Sequence, residues 1–325
     1  MFPANWAASL YAMRRPTPIV WMCNDPPLKI EGERPEALSH RGRTRRWLST
    51  ISNWILKRYD RWLVRKMEAI VVLDHQVKRI VETRYQRDAI VVRSGVELKR
   101  FQGVDRTMLR KRYEISEDAL IILCLGVLFK YRRFEDVISA MRILDDSKLR
   151  LFIVGSSYYD PSYASNLRSW AESQGVTKSV VFVDDFIPDE VLPQFYAGSD
   201  VFVFPNEQQT WGLAVIEAMA SGTPCVVSRG AGVHEVLVHG ETALLFQPRD
   251  PVDLASNLSI LTADKALRQK LGTQGREFVS KNFSWENYSR SMLEIFNRVG
   301  HFQQDLGSRE GVAHGRRPIQ RVPRK

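Results

Sequence analysis

A glutamate inside an apolar helical pattern is the first candidate for chemistry. Glu217 lies in "GLAVIEAMA", where Leu213, Ile216 and Ala220 form the apolar stripe. The strand-like "VFVFP" comes before it, and Gly212 opens the helix, whose free N–H groups attract anions. A carboxylate beside such an anion site accepts hydrogen bonds from a diol, such as a nucleotide ribose. An ordinary exposed helical glutamate is the alternative.

A basic loop is the second candidate. In "GVLFKYRRFED", Gly126 lets the chain turn after the strand-like "IILCL", and Lys130, Arg132 and Arg133 follow. Three cations beside a strand end suit a diphosphate, which arginine binds in a bidentate manner. The alternative is a solvated charge cluster. A third segment, "FIPDE", offers Ile187 as an apolar contact for a flat base.

The elements that must position these residues alternate along the chain. From about residue 118, strands rich in Val, Ile, Leu and Phe alternate with helical patterns, one of them predicted to begin at Pro188. This pattern predicts a parallel sheet covered on both faces, which is a doubly wound α/β domain. The first hundred residues show a similar pattern with three strand-like apolar runs, "PIVWMCN", "AIVVLD" and "AIVVRSG". Ligands of such sheets bind beyond the carboxyl ends of the strands.

Composition narrows the class of protein. The 325 residues are 44% hydrophobic and 26% charged, as in soluble globular proteins. The three cysteines lie far apart without metal-ligand spacing, which favours a reducing compartment. We find no apolar run of membrane-spanning length and no signal-peptide pattern near the N-terminus, and therefore expect a cytoplasmic protein.

The net charge of +10 is concentrated in two segments. Residues 41–66 contain many arginines and lysines. Among them, aromatic and aliphatic side chains recur at helical spacing, namely Trp47, Ile51, Trp54, Ile55 and Trp62. This pattern suits a helix on an anionic membrane, which would place the protein peripherally on its inner face, but we favour packing of most of the stripe in the core. No nucleic-acid-binding motif is present. The basic tail 301–325 is predicted to be disordered.

Taken together, the segments from about Gly95 to Phe283 resemble the retaining glycosyltransferases of family four. The resemblance is carried, in order, by "SGVELKRF", "LGVLFKYRRFEDVISAM", "LFIVGSS", "FVDDFIPDEVLPQFYAGSDVFVFP", "TWGLAVIEAMASGTPCVVS", "GVHEVLVHGETALLFQPRDP" and "FSWENY". It implies the GT-B fold, with two Rossmann-like domains. It also implies transfer of a sugar from a nucleotide-diphosphate donor to a glycan or lipid-linked acceptor, with retention at the anomeric carbon and without metal or cofactor.

The resemblance also assigns roles to residues. Glu217 would hold the ribose, Arg132 would bind phosphate, and Ile187 would lie by the base. Arg132 and Gln209 are the implied catalytic residues. The implied donor-binding set is Gly126, Lys130, Arg132, Arg133, Gly155, Ile187, Glu207, Trp211, Gly212, Leu213 and Glu217.

Several positions depart from the family pattern, among them Ala231, which replaces a loop glycine. Gln209 replaces the first of two glutamates, for which Glu207 is a nearby substitute. Val127 replaces a phosphate-binding arginine, and Asn24 replaces an acceptor-side histidine. An asparagine there binds the acceptor without acting as an acid or base.

The resemblance also predicts domain boundaries. Residues 1–98 form a partial acceptor-side domain, and 99–284 form the nucleotide-sugar-binding domain. Residues 285–300 form a helix that packs back toward the first domain. Because Met1 lies shortly before the first matching strand, we expect the N-terminal domain to be incomplete and a partner to cover its exposed sheet edge.

Two function classes remain open. One is an active glycosyltransferase, and the other is a truncated, non-catalytic nucleotide-sugar-binding scaffold or subunit. An epimerase of the same fold is a weaker alternative.

Overall fold

A computed structural model describes residues 7–8, 11, 17–24, 54, 57–207 and 211–313, with side chains as far as residue 300. The described residues form two compact units. The first unit takes its residues from 1–72, 80–90 and 289–325, and the second consists of 73–79 and 91–288.

The first unit contains a three-stranded sheet. Its strands, in the order in which they pair, are β1 (Val20–Met22), β2 (Ala69–Val72) and β3 (Ile90–Val91). β1 runs parallel to β2, and all four residues of β2 are buried. The associated helices are α1 (57–65), α2 (His75–Tyr85) and α10 (Trp285–Ala313), of which α2 and α10 begin within the second unit.

The side chains that α1 buries differ from those that the sequence predicts. Leu63 and Val64 are buried, whereas Trp62 is 42% exposed and the helical residue Trp54 is 59% exposed. The prediction that most of the aromatic stripe packs in the core is therefore wrong for these two tryptophans. Aliphatic side chains take the core positions instead. Trp47, Ile51 and Ile55 lie outside the described residues.

The second unit is built around a six-stranded sheet. Its strands are β4 (Leu120–Leu125), β5 (Leu149–Val154), β6 (Val180–Val183), β7 (Val201–Phe204), β8 (Cys225–Ser228) and β9 (Leu244–Phe246). Its helices are α3 (Met108–Arg112), α4 (Phe134–Leu144), α5 (Pro161–Ser173), α6 (Leu192–Gly198), α7 (Leu213–Ala220), α8 (Pro251–Ala263) and α9 (Lys265–Asn282).

The six strands are parallel and lie in the order β6-β5-β4-β7-β8-β9. Alternate residues of β4 enter different cores: Ile121 and Leu123 pack on one face, and Ile122 and Cys124 on the other. Both faces are therefore covered, as the continuous apolar strands predict. The order is that of a doubly wound sheet, and its direction of winding reverses between β4 and β7.

Two helix boundaries differ from prediction. α6 begins at Leu192 rather than at Pro188, because the residues after Pro188 form a turn in which the Val191 amide donates to the Pro188 carbonyl at 2.9 Å. α10 continues to Ala313, so disorder does not begin at residue 301 as predicted. No proline interrupts the chain between Gly300 and Ala313, so nothing of that kind ends the helix there.

Two further findings bear on location. No helix in the described part of the chain combines the length and the apolar character needed to cross a bilayer. The three cysteines, Cys23, Cys124 and Cys225, are buried thiols.

The ends of β4 and β5 approach closely at two glycines. A Cβ atom on Gly155 would lie 2.0 Å from the carbonyl oxygen of Gly126, and Gly155 has a φ of +155°. A side chain at this position would therefore displace backbone and adopt a conformation that L-residues avoid.

We expect Gly155→Ala to lower the free energy of unfolding by about 3 kcal/mol or more, because strain and overpacking add. Gly175 is the matched control: its φ is +72°, and nothing lies within 4 Å of a Cβ placed there. Gly175→Ala should cost only about 1–2 kcal/mol. Denaturant unfolding of both variants measures the difference, and equal losses would contradict the close contact.

Candidate active site

The site predicted from the sequence lies at the carboxyl edge of the six-stranded sheet. The loop after β4 carries Gly126 and Arg132, and the loop after β7 leads to Gly212 at the start of α7. Because β4 and β7 are the two strands between which the winding reverses, their loops border the crevice in which such sheets bind ligands.

Arg132 lies directly against the backbone of Gly126. A Cβ atom on Gly126 would be 2.6 Å from Nη1 and 2.8 Å from Cζ of Arg132, so only glycine leaves room for the guanidinium. Nε of Arg132 is buried and has no hydrogen-bond partner among the described residues. A buried donor without a partner is costly, and an anion would satisfy it.

The two other cations of the loop are placed differently. Lys130 is exposed at the start of a 3-10 turn. Arg133 has a left-handed backbone and pairs with Asp136 at 2.6 Å and with Glu135 at 2.9 Å. These carboxylates already neutralise Arg133, which leaves Arg132 as the stronger candidate for a phosphate.

Glu217 lies on α7 and accepts a hydrogen bond from the hydroxyl of Tyr196, at 2.8 Å to Oε2. Burial raises the pKa of Glu217, while the Tyr196 hydrogen bond and the charge of Arg100 lower it, and Asp189 raises it. The structure gives no hydrogen bond from a described residue to the second oxygen, Oε1. Glu217 is thus held by one oxygen and has acceptor capacity on the other.

Tyr196 connects Glu217 to Arg132. Burial raises the pKa of the Tyr196 phenol well above its usual value, and Glu217 raises it further. The positive charge of Arg132 acts in the opposite direction. Tyr196 therefore lies within electrostatic range of both Glu217 and Arg132.

The start of α7 has the form of an anion site. Gly212 is its N-cap with a φ of +82°, and a Cβ there would lie 3.1 Å from both Phe204 and Val233. Gly212 has no side chain with which to cap the helix, and Leu213 is 40% exposed. The start of α7 therefore has no side-chain cap from its N-cap residue, although the Val215 amide donates to the Gly212 carbonyl at 3.0 Å.

Trp211 differs from its predicted role. The resemblance implies that its backbone faces the donor, but its amide donates to Oδ2 of Asp74 at 2.8 Å. Its ring is buried and packs edge-on against Phe283. Trp211 anchors the loop before α7 and does not offer a free amide.

Asp74 is a residue of this region that the sequence analysis missed. Its carboxylate is fully buried, accepts from the amide of Val77 at 2.7 Å, and caps α2. A Cβ on Gly232 would lie 2.6 Å from Oδ2 of Asp74, so the glycine admits the carboxylate. An acid between the strand "AIVV" and a helical pattern is a helix-start indication, which could have revealed the cap but not its bond to Trp211.

The other predicted residues are scattered or not described. Glu207 forms an ion pair with Arg249 at 2.8 Å, which engages the substitute carboxylate. Ile187 is half-buried and packs against the core, and Asn24 is exposed in the first unit. Gln209 lies outside the described residues. The described residues contain no group of three or more His, Cys, Asp or Glu placed to hold a metal.

Comparison with known families decides the class. Residues 105–278, more than half of the chain, match the family "Glycosyl transferases group 1". The chain belongs to this glycosyltransferase family. The predicted family resemblance is thereby confirmed, and the matched range contains Arg132, Gly212 and Glu217.

Individual relatives of this chain carry glycosyltransferase or synthase names. The N-acetyl-alpha-D-glucosaminyl L-malate synthase of Bacillus anthracis is 29% identical over 60% of this chain and 50% of its own length. A D-inositol 3-phosphate glycosyltransferase of Xylanimonas cellulosilytica is 25% identical over 83% of this chain and 74% of its own. The chain spans about half the length of several such relatives.

Solved structures support the fold. Sucrose-phosphate synthase from Thermosynechococcus elongatus superposes with a TM-score of 0.74 at 23% identity, covering 91% of this chain and 71% of that one. Anabaena HepE in complex with UDP-glucose gives 0.74 at 17% identity, covering 91% and 76%. The predicted fold class, α/β with Rossmann-like domains of the GT-B type, is confirmed.

The buried carboxylate of Asp74 predicts a pH effect. Burial raises its pKa, the amide bonds from Val77 and Trp211 lower it, and Glu235 raises it. Because its net pKa is above that of the unfolded chain, the folded state holds the proton more tightly. The free energy of unfolding therefore falls as the pH rises from the ordinary aspartate range through the raised pKa.

Asp74→Asn replaces the titrating carboxyl group with an amide, which does not titrate and keeps one acceptor oxygen. We expect the wild type to lose stability relative to the variant as the pH rises through that range. Urea unfolding of both proteins at a series of pH values measures the difference. A constant difference, or one of opposite slope, would contradict the assignment.

Proposed function

We propose that this chain is a retaining glycosyltransferase that takes its sugar from a nucleotide diphosphate without the help of a metal ion. The observation that carries the proposal is the buried Nε of Arg132 at the reversal of the sheet, which has no hydrogen-bond partner among the described residues. The family match and the complexes of HepE with UDP and UDP-glucose support it.

The diphosphate would lie between Arg132 and the start of α7. Arg132 supplies a full positive charge, and the amide end of α7 supplies about half a charge. Lys130, exposed in the same loop, adds a mobile cation. Together these groups stabilise the negative charge that appears on the leaving phosphate, which is the task of a metal in other transferases.

The nucleoside would bind through Glu217. Its oxygen Oε1 accepts from a ribose hydroxyl while Tyr196 holds Oε2 in place. The exposed ring of Phe186 and the half-buried Ile187 offer apolar contacts to the base.

In the transfer step the bond between the anomeric carbon and the phosphate oxygen breaks, and its electron pair leaves with the nucleoside diphosphate. The acceptor hydroxyl forms the new bond on the same face of the sugar, and its proton passes to the leaving phosphate oxygen. Arg132 stabilises the departing charge. Gln209 contributes hydrogen bonds to the sugar, since an amide supplies no charge.

The acceptor would be a glycan or a lipid-linked sugar, with Asn24 on the acceptor side. A cytoplasmic location is supported by the three buried thiols. A non-catalytic nucleotide-sugar-binding scaffold or subunit is the second candidate. It is favoured by the ion pair that engages Glu207 and by the amide at position 209.

Binding of UDP tests the donor site. We expect Arg132→Ala to weaken binding roughly 10- to 150-fold, because one charge-assisted hydrogen bond contributes about 1.5–3 kcal/mol. Arg142→Ala is the control, since Arg142 is 57% exposed and pairs with Asp145 on the surface of α4. Calorimetric titration measures both, and equal affinities for UDP in the two variants would remove Arg132 from the site.

A deoxy analogue tests Glu217. Wild type should bind 2′-deoxy-UDP or 3′-deoxy-UDP more weakly than UDP, whereas Glu217→Ala should not distinguish at least one of them from UDP. The missing hydroxyl and the missing carboxylate remove the same hydrogen bond, so their effects do not add. Additive losses for both analogues would show that Glu217 acts elsewhere.

Incubation with UDP-glucose tests the reaction. We expect released or transferred glucose to keep the α configuration of the donor, and the rate to be unchanged by a chelator. Proton NMR at early times distinguishes the anomers. A β product or a chelator-sensitive rate would contradict the mechanism, and binding of UDP without turnover would favour the scaffold.

A further inference from the structure

The exposed side of α1 forms a surface to which the proposed donor site gives no role. Trp54, Arg58, Trp62 and Lys66 follow one another at intervals of four residues, and therefore lie along one stripe of a helix. The Arg58 guanidinium lies 5.2 Å from the centre of the Trp54 ring, and Nζ of Lys66 lies 4.0 Å from the centre of the Trp62 ring. We call these four residues the tryptophan-cation stripe.

Further positive charge flanks the stripe. All the basic residues in 57–66 are exposed, namely Lys57, Arg58, Arg61, Arg65 and Lys66. The acid of this segment, Asp60, is buried, accepts from the Tyr85 hydroxyl at 2.8 Å and lies 3.7 Å from Arg84. Glu68, the next acid along the chain, accepts from the amide of Ile19. Within residues 57–66 the exposed side chains therefore include five cations and no carboxylate.

Burial shows that the stripe is not needed for the core of this unit. Leu63 and Val64 of α1, and Met67 just after the helix, are exposed by 1% or less and supply the packed side of this segment. Two large aromatic rings are left on the opposite side, where they cost free energy in water. Packing in the described core therefore does not explain why tryptophans occupy these positions.

We propose that the tryptophan-cation stripe docks this protein on a membrane leaflet that contains anionic lipid. Tryptophan rings lie at the boundary between headgroups and acyl chains, and arginine and lysine flanking an amphipathic helix bind anionic headgroups. Both groups occur here on one face, and the charge is complementary to that leaflet.

A nucleic acid is the competing occupant with the same charge. Proteins that bind single strands combine a basic groove with aromatic faces open to the bases. Here a cation from the neighbouring helical turn lies over each tryptophan ring, so the arrangement favours the membrane. Assignment of a lipid-linked acceptor, in contrast to docking itself, rests on the proposed transferase function.

Sedimentation of the full chain with vesicles tests the proposal. We expect binding to phosphatidylcholine vesicles that contain phosphatidylglycerol, weak binding to phosphatidylcholine alone, and loss of binding as salt is raised. Trp62→Ala should weaken binding about tenfold through lost apolar burial. Trp170→Ala on α5 is the matched control, because Trp170 is also 42% exposed, and it should have no effect.

Charge variants give a second measurement at exposed positions that the fold does not need. Arg58→Ala and Arg61→Ala should each weaken vesicle binding roughly fivefold. The proposal is overturned by three results: equal binding to the two kinds of vesicle, equal effects of Trp62→Ala and Trp170→Ala, or loss of oligonucleotide binding in these variants without an effect on vesicles.

Failure of docking and failure of the donor site are separable. UDP binding is measured without vesicles, and neither Trp62 nor Arg58 belongs to the second unit that holds the donor site. Normal UDP affinity with no vesicle binding would remove the membrane surface and leave the donor site. The reverse result would leave the surface and remove the proposed donor.

Discussion

The close approach of β4 and β5 is the constraint on which the candidate site depends. Because Gly155 has no side chain, the carbonyl of Gly126 occupies the place where a Cβ would stand. Gly126 in turn leaves room for the guanidinium of Arg132. Arg132 is thereby placed against backbone. In the part of the chain that the structure describes, its buried Nε has no acceptor, which leaves this donor for another molecule. Two glycines thus set both the position and the availability of the charge.

A second contact fixes the side chain of Glu217. Tyr196 is fully buried, and its hydroxyl holds one oxygen of Glu217. A carboxylate on a helix ordinarily moves among rotamers, and this bond removes that freedom before any ligand arrives. Pre-organisation of this kind is what lets a single hydrogen bond contribute to selectivity for a ribose.

The features that could be predicted from the sequence are those that depend on residues close together in the chain. Continuous apolar strands predicted the parallel sheet, and the position of Arg132 and Glu217 after strand ends placed both at its carboxyl edge. The bond between Asp74 and Trp211 joins residues 137 positions apart, so no local pattern contains it. The ion pair of Arg133 with Asp136 spans three residues, and its spacing could have shown that Arg133 was already neutralised. Helical periodicity placed the tryptophans of 41–66 on one stripe but did not say which side faces the core.

The buried thiols have a consequence for how the fold can be studied. Cys23 follows β1 in the first unit, whereas Cys124 and Cys225 lie in β4 and β8 of the second. A thiol reagent reaches such groups only when the surrounding sheet opens. The rate at which a buried cysteine is labelled therefore reports how often the unit that contains it opens. Comparing the labelling rates of these cysteines would reveal whether the two sheets come apart together or one before the other.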